Sequence, residues 1–290
     1  MKKICVLLAA LALLGACSRP AHLKVASYNI RYANRGDSLR GFVWGERGNY
    51  IFEQLRYEAP DVFGCQEVLA RQLDDMAAAL PEYDYVGVGR DDGARAGEHE
   101  PVFWRKDRFG LLDKGWFWLS ETPDQPGKGW DAACVRICTW AYLKDKCSGK
   151  KLWVFNLHMD HVGVVARAES AKLIVRQIEQ RCKPSEAVFV MGDFNVDQTD
   201  GIFATFTQSE VLTDTYERAL HRFTPTGTFN SFRPDSFTTA RIDHIFVSPI
   251  VTVEEYAIRT DTYRTALPED AGYEARVFSD HFPVFVKVSF

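Results

Sequence analysis

The feature that most constrains this chain is a repeated one: short apolar stretches that end on Asn, Asp, Glu or His. Asn29 lies inside the first stretch and Glu67 closes the second. His158 and Asp160 close another, and Asp193 and Asn195 follow a fourth. Asp243 and His244 open a fifth, and Asp280 and His281 precede the last. The stretches fall at 23–31, 62–66, 101–104, 136–143, 152–157, 187–191, 242–247, 251–258 and 282–288. Each has strand length and is bounded by turn-forming residues. Helical periodicity appears at Ile51, Phe52 and Leu55, at Leu73, Met76, Ala77 and Leu80 before Pro81, and at Val164, Ala168, Ala171, Ile174, Val175 and Ile178. Many strands and few helices predict two packed sheets with helices outside, a four-layer sandwich. Polar residues at strand ends predict one site assembled along an edge of that sandwich.

The first residues read as an address. Lys2 and Lys3 form a basic start, Ile4 to Leu14 an apolar core, and Leu14-Gly15-Ala16-Cys17 resembles the lipobox of bacterial lipoproteins. The reading is a signal peptide over 1–16, a lipidated Cys17 with a short tether over 17–22, and a catalytic domain over 23–290. Each buried methylene of an acyl chain adds about 0.8 kcal/mol of membrane affinity, so export and anchoring to a bacterial membrane, on its periplasmic side or at the cell surface, are expected. After residue 16 no apolar run reaches the ~18 to 20 residues of a membrane span. With 46% hydrophobic and 26% charged residues, wholesale disorder, collagen and coiled coil are excluded.

Five blocks carry a resemblance. Ser27-Tyr28-Asn29-Ile30-Arg31, Asp61-Val62-Phe63-Gly64-Cys65-Gln66-Glu67, Asn156-Leu157-His158-Met159-Asp160, Gly192-Asp193-Phe194-Asn195 and Ser279-Asp280-His281-Phe282-Pro283-Val284 stand in this order. They resemble the motifs of the endonuclease/exonuclease/phosphatase superfamily, and Ile242-Asp243-His244-Ile245-Phe246 is similar to its penultimate strand. Any one block is weak alone, because a strand-end Asp or Asn is usually a turn former. The chain most resembles secreted or lipid-anchored bacterial members of that superfamily.

The resemblance implies a DNase-I-like α+β fold, an αββα sandwich of two mixed, mainly antiparallel sheets. It implies a Mg²⁺- or Mn²⁺-dependent hydrolase of phosphate esters, with Asn29, Glu67 and Asp280 at the metal. Hard carboxylate oxygens suit either ion. Asp193 would orient or deprotonate the attacking water, Asn195 would hold a phosphate oxygen, and His281 would bind the phosphoryl group or transfer a proton. His158 would donate to the phosphate or leaving oxygen, paired with Glu100, which would raise the His158 pKa. Arg136 and Asp243 are expected in the phosphate pocket, with Arg47 and Arg233 as weaker clamps. His161 and His244 are read as residues that pack or that support the site from behind.

Substrate choice falls to aromatic loop segments: 41–47 with Trp44, 116–118, Trp130, and 228–233 with Phe232. Trp44 and Trp130 are expected to touch substrate. Removing Lys2 and Lys3 takes the formal charge from −4 to −6, and no dense Lys/Arg stripe exists. Stable duplex DNA binding is therefore not expected. A monomer acting on a small phosphodiester or phosphomonoester is favoured, with a secreted nuclease or a catalytically silent surface binding module as alternatives. Of the cysteines beyond Cys17, Cys147 and Cys182 are the possible disulfide pair. Cys134 and Cys138 would lie about 13 Å apart along one strand.

Overall fold

The computed structural model describes residues 20–267 and 271–290. The leader, Cys17 and the start of the tether lie outside the described residues. The strands are β1 (His22–Asn29), β2 (Val62–Gln66), β3 (Val68–Leu69), β4 (Tyr83–Val86), β5 (Glu98–His99), β6 (Val102–Arg105), β7 (Phe109–Trp118), β8 (Ile137–Asp145) and β9 (Lys151–His158). They continue as β10 (Ala187–Asp193), β11 (Thr213–Asp214), β12 (His221–Phe223), β13 (Asp243–Val247), β14 (Thr252–Ile258), β15 (Thr262–Ala266), β16 (Tyr273–Val277) and β17 (Val284–Ser289). The helices are α1 (Arg35–Leu39), α2 (Trp44–Glu58), α3 (Ala70–Ala79), α4 (Val164–Arg181), α5 (Phe203–Thr207) and α6 (Thr215–Arg218).

Two large sheets run in the orders β12-β14-β17-β1-β2-β6-β4 and β11-β13-β10-β9-β8-β7. Most neighbours are antiparallel, but each sheet has a parallel pair at its centre, β1 with β2 and β9 with β10. Alternation along these strands explains the architecture. Val25, Val62, Val154, Phe189, Met191 and Val286 face inward and form the core between the sheets. Their neighbours turn outward: Ala26, Tyr28 and Phe63 pack under Ile51, Leu55 and Met76 of α2 and α3. Phe155, Val188 and Val190 pack under Ala171, Ile174 and Ile178 of α4. Central strands buried on both faces read as unbroken apolar runs, and three apolar layers give the αββα sandwich. Each fully buried Phe or Val of this kind stabilises the fold by roughly 1.5–3 kcal/mol.

Several segments differ from the sequence expectation. Residues 116–118, read as an aromatic loop, are the end of β7. A register shift between Leu111 and Asp113 and its exposed middle break the alternation that would mark a strand. The hairpin of β15 and β16 was also not anticipated. Trp44 opens α2 instead of sitting in a loop. Cys147 and Cys182 are both free thiols, so the expected pairing is corrected even though β9 and β10 run side by side in the same direction.

Candidate active site

The inner faces of both sheets change character at one pole. Below it Val25, Phe189 and Met191 are core; one step on, Ser27, Gln66 and Asn156 replace apolar side chains. Gln66 Nε2 donates to Asn156 Oδ1 at 2.6 Å, and Asn156 Nδ2 donates to the carbonyls of Cys65 at 2.7 Å and Pro101 at 2.9 Å. This clamp joins the sheets beneath the site. Gly64 makes room for it, since a Cβ there would stand 2.6 Å from the Asn156 side chain. Asn156 therefore braces the floor, a role its place in the motif did not reveal.

One further step reaches the site. His158, Asp193 and Asp243 are register partners across β9, β10 and β13, so their side chains stand in one row on the inner face. From the other sheet, Asn29 ends β1 and Glu67 follows β2. The Asn29 amide bridges the sheets, with Nδ2 donating to Glu67 Oε1 and to Asp193 Oδ2, each at 3.0 Å. The Arg31 N–H donates to Asn29 Oδ1 at 3.0 Å, which fixes that amide orientation. Asn29 thus stands beside Glu67, as expected at the metal site, and positions two carboxylates through its nitrogen. Glu67 (φ 61°) and Asn195 (φ 50°) adopt left-handed backbone, the strain expected where side chains are aimed.

Arg31 closes this side. Its guanidinium lies 3.5 Å from Asp280, 3.8 Å from Glu67 and 2.8 Å from Asp37. Burial raises the Asp280 pKa, and the neighbouring Glu67 charge adds to it. Arg47, expected as a phosphate clamp, is wholly buried instead and donates to the carbonyls of Ile30 and Arg31. It braces the loop that presents Arg31.

The two histidines have opposite electrostatics. His281 Nδ1 stands 2.8 Å from Asp243 Oδ2, and its Nε2 lies 3.7 Å from Asp193 Oδ2. Burial alone would lower its pKa, but the Asp243 and Asp193 carboxylates hold it well above the ordinary value. Asp243 thus orients His281 and is fully buried, a correction to its expected place in the phosphate pocket. His158 Nε2 lies 3.4 Å from Asp193 Oδ2. Burial, with the Arg136 and Arg90 charges added, pushes the His158 pKa well below ordinary, opposite to the expected rise. The acid expected to pair with it does not oppose this shift. Glu100 is fully buried with both oxygens unpartnered, and burial pushes its pKa up to about 8, so it is a neutral acid at pH 7. Glu98 is the charged neighbour, 4.0 Å from His158 Nδ1, but it is bound to Arg90 at 2.6 Å.

Asp193 sits between the histidines, and burial raises its pKa despite the opposing His281 charge. Asn195 donates its side-chain amide to Met159 O at 2.9 Å and its backbone N–H to Asp193 Oδ1 at 2.9 Å. Arg136 lies against Asp160 at 3.4 Å and His161 at 3.0 Å, leaving Nη1 buried without a partner.

These groups line a cleft of about 490 Å³. It brings together Glu67, His158, Asp193, Asn195, Asp280, His281 and Arg136, and Phe232 stands in its wall. Trp44 does not line it: its ring is buried beside Phe52 with Nε1 donating to Asp75 at 2.8 Å. Neither does Trp130, which packs on the core under α4. Arg233 lines an adjoining cavity. Sequence reasoning missed Arg31, Arg40, Arg90 and Glu98 as cleft residues. Arg31 stood inside a quoted motif, but Arg40 and Arg90 lie in polar loops and Glu98 in the two-residue strand β5, with no periodicity to single them out. Ligand atoms of Glu67, His158 and Asp193 lie within 4.8 Å of one another, and the hard carboxylate oxygens of Glu67 and Asp193, with Asp280 in the same cleft, fit a Mg²⁺ or Mn²⁺ ion.

Comparison with known proteins gives the same picture. The profile of the Endonuclease/Exonuclease/phosphatase family matches residues 26–281. An endonuclease/exonuclease/phosphatase family protein of Bacteroides thetaiotaomicron superposes with a TM-score of 0.91 at 51% identity, covering 94% of this chain and 99% of that one. A mannosyl-6-phosphatase of the same organism matches with a TM-score of 0.89 at 51% identity, covering 92% and 100%. A probable RNA exonuclease of Schizosaccharomyces pombe is 23% identical over 213 residues, 68% of this chain but 41% of that protein.

Proposed function

The chain belongs to the endonuclease/exonuclease/phosphatase family, and from that premise we propose that it is a divalent-metal-dependent phosphomonoesterase acting on a phosphorylated sugar outside the cytoplasm. Phosphoester hydrolysis is the chemistry of the family; the substrate, the ion and the location are our reading. The observation that carries it is the charge balance of the cleft. Arg31, Arg40, Arg90 and Arg136 face Glu67, Glu98, Asp193 and Asp280, so the formal charge of these groups cancels. A protonated His281 and a divalent ion would then leave a site that suits a phosphomonoester, whose charge is about −1.5 to −2 at neutral pH. A diester carries less. The relative named a mannosyl-6-phosphatase supports the sugar. The nuclease alternative rests on a relative of 23% identity and meets a net-acidic chain. A silent binding module would have no use for the desolvated row of His158, Asp193 and Asp243.

Glu67 and Asp280, with Asp193, would hold Mg²⁺ or Mn²⁺, which when bound neutralises phosphate oxygens. Asn29, donating to both, fixes the Glu67 and Asp193 carboxylates relative to each other. Arg136, through its free Nη1, and Asn195 bind the phosphoryl oxygens. Asp193 takes a proton from the attacking water as the new oxygen–phosphorus bond forms. The bond from phosphorus to the sugar oxygen breaks, and His281 gives that oxygen a proton. Asp193 then returns its proton to His281, and neutral His158 keeps the Asp193 carboxylate aimed. The test is phosphate release from mannose 6-phosphate with and without EDTA, followed by Mg²⁺ or Mn²⁺. Chelation should abolish turnover and the metals restore it. Unchanged turnover after chelation and dialysis would sink the metal assignment, and no release from any sugar phosphate would sink the substrate.

A further inference from the structure

We propose that a second cavity beside the catalytic cleft binds an additional sugar unit, so that the preferred substrate is a phosphorylated oligosaccharide and not a free monosaccharide phosphate. This rests on the sugar phosphatase reading above. The cavity has a volume of about 260 Å³ and shares Phe229, Ser231 and Ile242 with the cleft, so the two are separated by one layer of side chains. Phe229 forms that wall. Its ring is 43% exposed and stands 5.1 Å from the His281 ring, within reach of whatever leaves the phosphate.

The lining has the chemistry of a carbohydrate site. Two aromatic residues, Phe229 and the 76%-exposed Phe237, offer apolar ring faces in the lining of one cavity. The same lining includes Asn230 and Ser236, whose Nδ2 and Oγ atoms are buried without partners. Orphaned buried donors call for an explanation, and a hydroxyl-rich ligand supplies one. A sugar ring has one face of C–H groups for the aromatics and a rim of hydroxyls for the amide and the serine.

The segment is also pinned by hydrogen bonds. Ser231 (φ 54°) and Phe232 (φ 61°) are consecutive left-handed residues, a strained arrangement for side chains of this kind. It persists because the Asp280 carbonyl accepts from the N–H groups of Asn230 and Ser231, at 2.8 and 3.2 Å, and Asn230 Oδ1 accepts from the Phe232 N–H at 2.8 Å. The turn is keyed to the residue beside His281, so a sugar held there is registered against the reacting phosphate.

The experiment compares kcat/KM for mannose 6-phosphate with that for the same unit carrying a second mannose on its anomeric oxygen. The wild type should prefer the disaccharide by about tenfold, a difference expected in KM, and Phe237→Ala should reduce that preference towards one. Asn230→Ala should do the same where it folds, and Phe237, at the surface, carries the test where it does not. Equal kcat/KM for the two substrates, or a preference that survives Phe237→Ala, would overturn the subsite while leaving the phosphatase reading intact. Absence of turnover on both would overturn the two together.

Discussion

Glu100 shows how far one residue can depart from its ordinary chemistry. A carboxyl group wholly enclosed without a hydrogen-bond partner is held neutral, with its pKa pushed up to about 8. The folded state therefore binds a proton that the unfolded chain, with an ordinary carboxyl, releases above about pH 4.5. Stability should fall as pH rises through that window towards 8. Glu100→Gln should flatten this slope and gain on the order of 2 kcal/mol relative to wild type at pH 8, read from denaturant midpoints at pH 5 and 8. Parallel profiles for the two proteins would refute the assignment. At the reacting centre, Asp193→Asn and His281→Ala should each lose roughly 10² to 10⁴ in kcat with circular dichroism unchanged, and the double variant should lose less than the product. Near-wild-type turnover in either would remove that residue from the mechanism.

Among the elements, the junction between β9 and α4 is held by two carboxylates, Asp131, which accepts from the N–H groups of Val165 and Ala166, and the more deeply buried Asp160. Asp160 accepts from the backbone N–H groups of Ala133, Cys134, Val162 and Gly163 and from Arg136, which ties the loop before β8 to the start of α4. Burial alone would raise its pKa, but those donors hold it well below the ordinary value. Its contribution is complete above the ordinary carboxylate pKa and is lost as pH falls through the depressed one. Asp160→Asn should cost about 1.5–3 kcal/mol at pH 7 and raise KM as Arg136 loses its support; an unaltered melting curve would contradict this. The example also marks what sequence could reveal. The nine expected strands were legible because each central one is apolar on both faces, and the site residues because they interrupt that pattern at its end. Strand β7 was not, since an edge strand with an exposed middle carries no alternation. Glu98 and Arg90 were invisible for a different reason: their place beside His158 comes from the β3–β5 pairing, a contact between segments 30 residues apart that no local pattern encodes.

At the scale of the whole molecule, charge and polarity set the kind of encounter the enzyme makes. With a net-acidic chain and cleft guanidinium groups already matched by carboxylates, only one or two substrate phosphates can be neutralised. Turnover of a sugar phosphate should change less than about threefold between 50 and 300 mM salt, whereas a duplex-binding enzyme would lose orders of magnitude. Steep salt dependence with plasmid nicking would favour the nuclease alternative. The course of β1 has a second bearing. It enters at His22, where the Ala21 N–H donates to the Phe290 carbonyl, and delivers Asn29 to the cleft about 23 Å further on. Both described ends of the chain thus lie at the pole opposite the catalytic mouth. An acyl group on Cys17 would leave at most about 17 Å of extended tether, so the mouth would look outward from the bilayer like a lamp on a short post. Such an enzyme samples the surrounding medium and not the headgroups beneath it. Membrane-bound and detergent-released protein should hydrolyse a soluble sugar phosphate at the same rate, and phosphorylated lipids of the host membrane should remain intact.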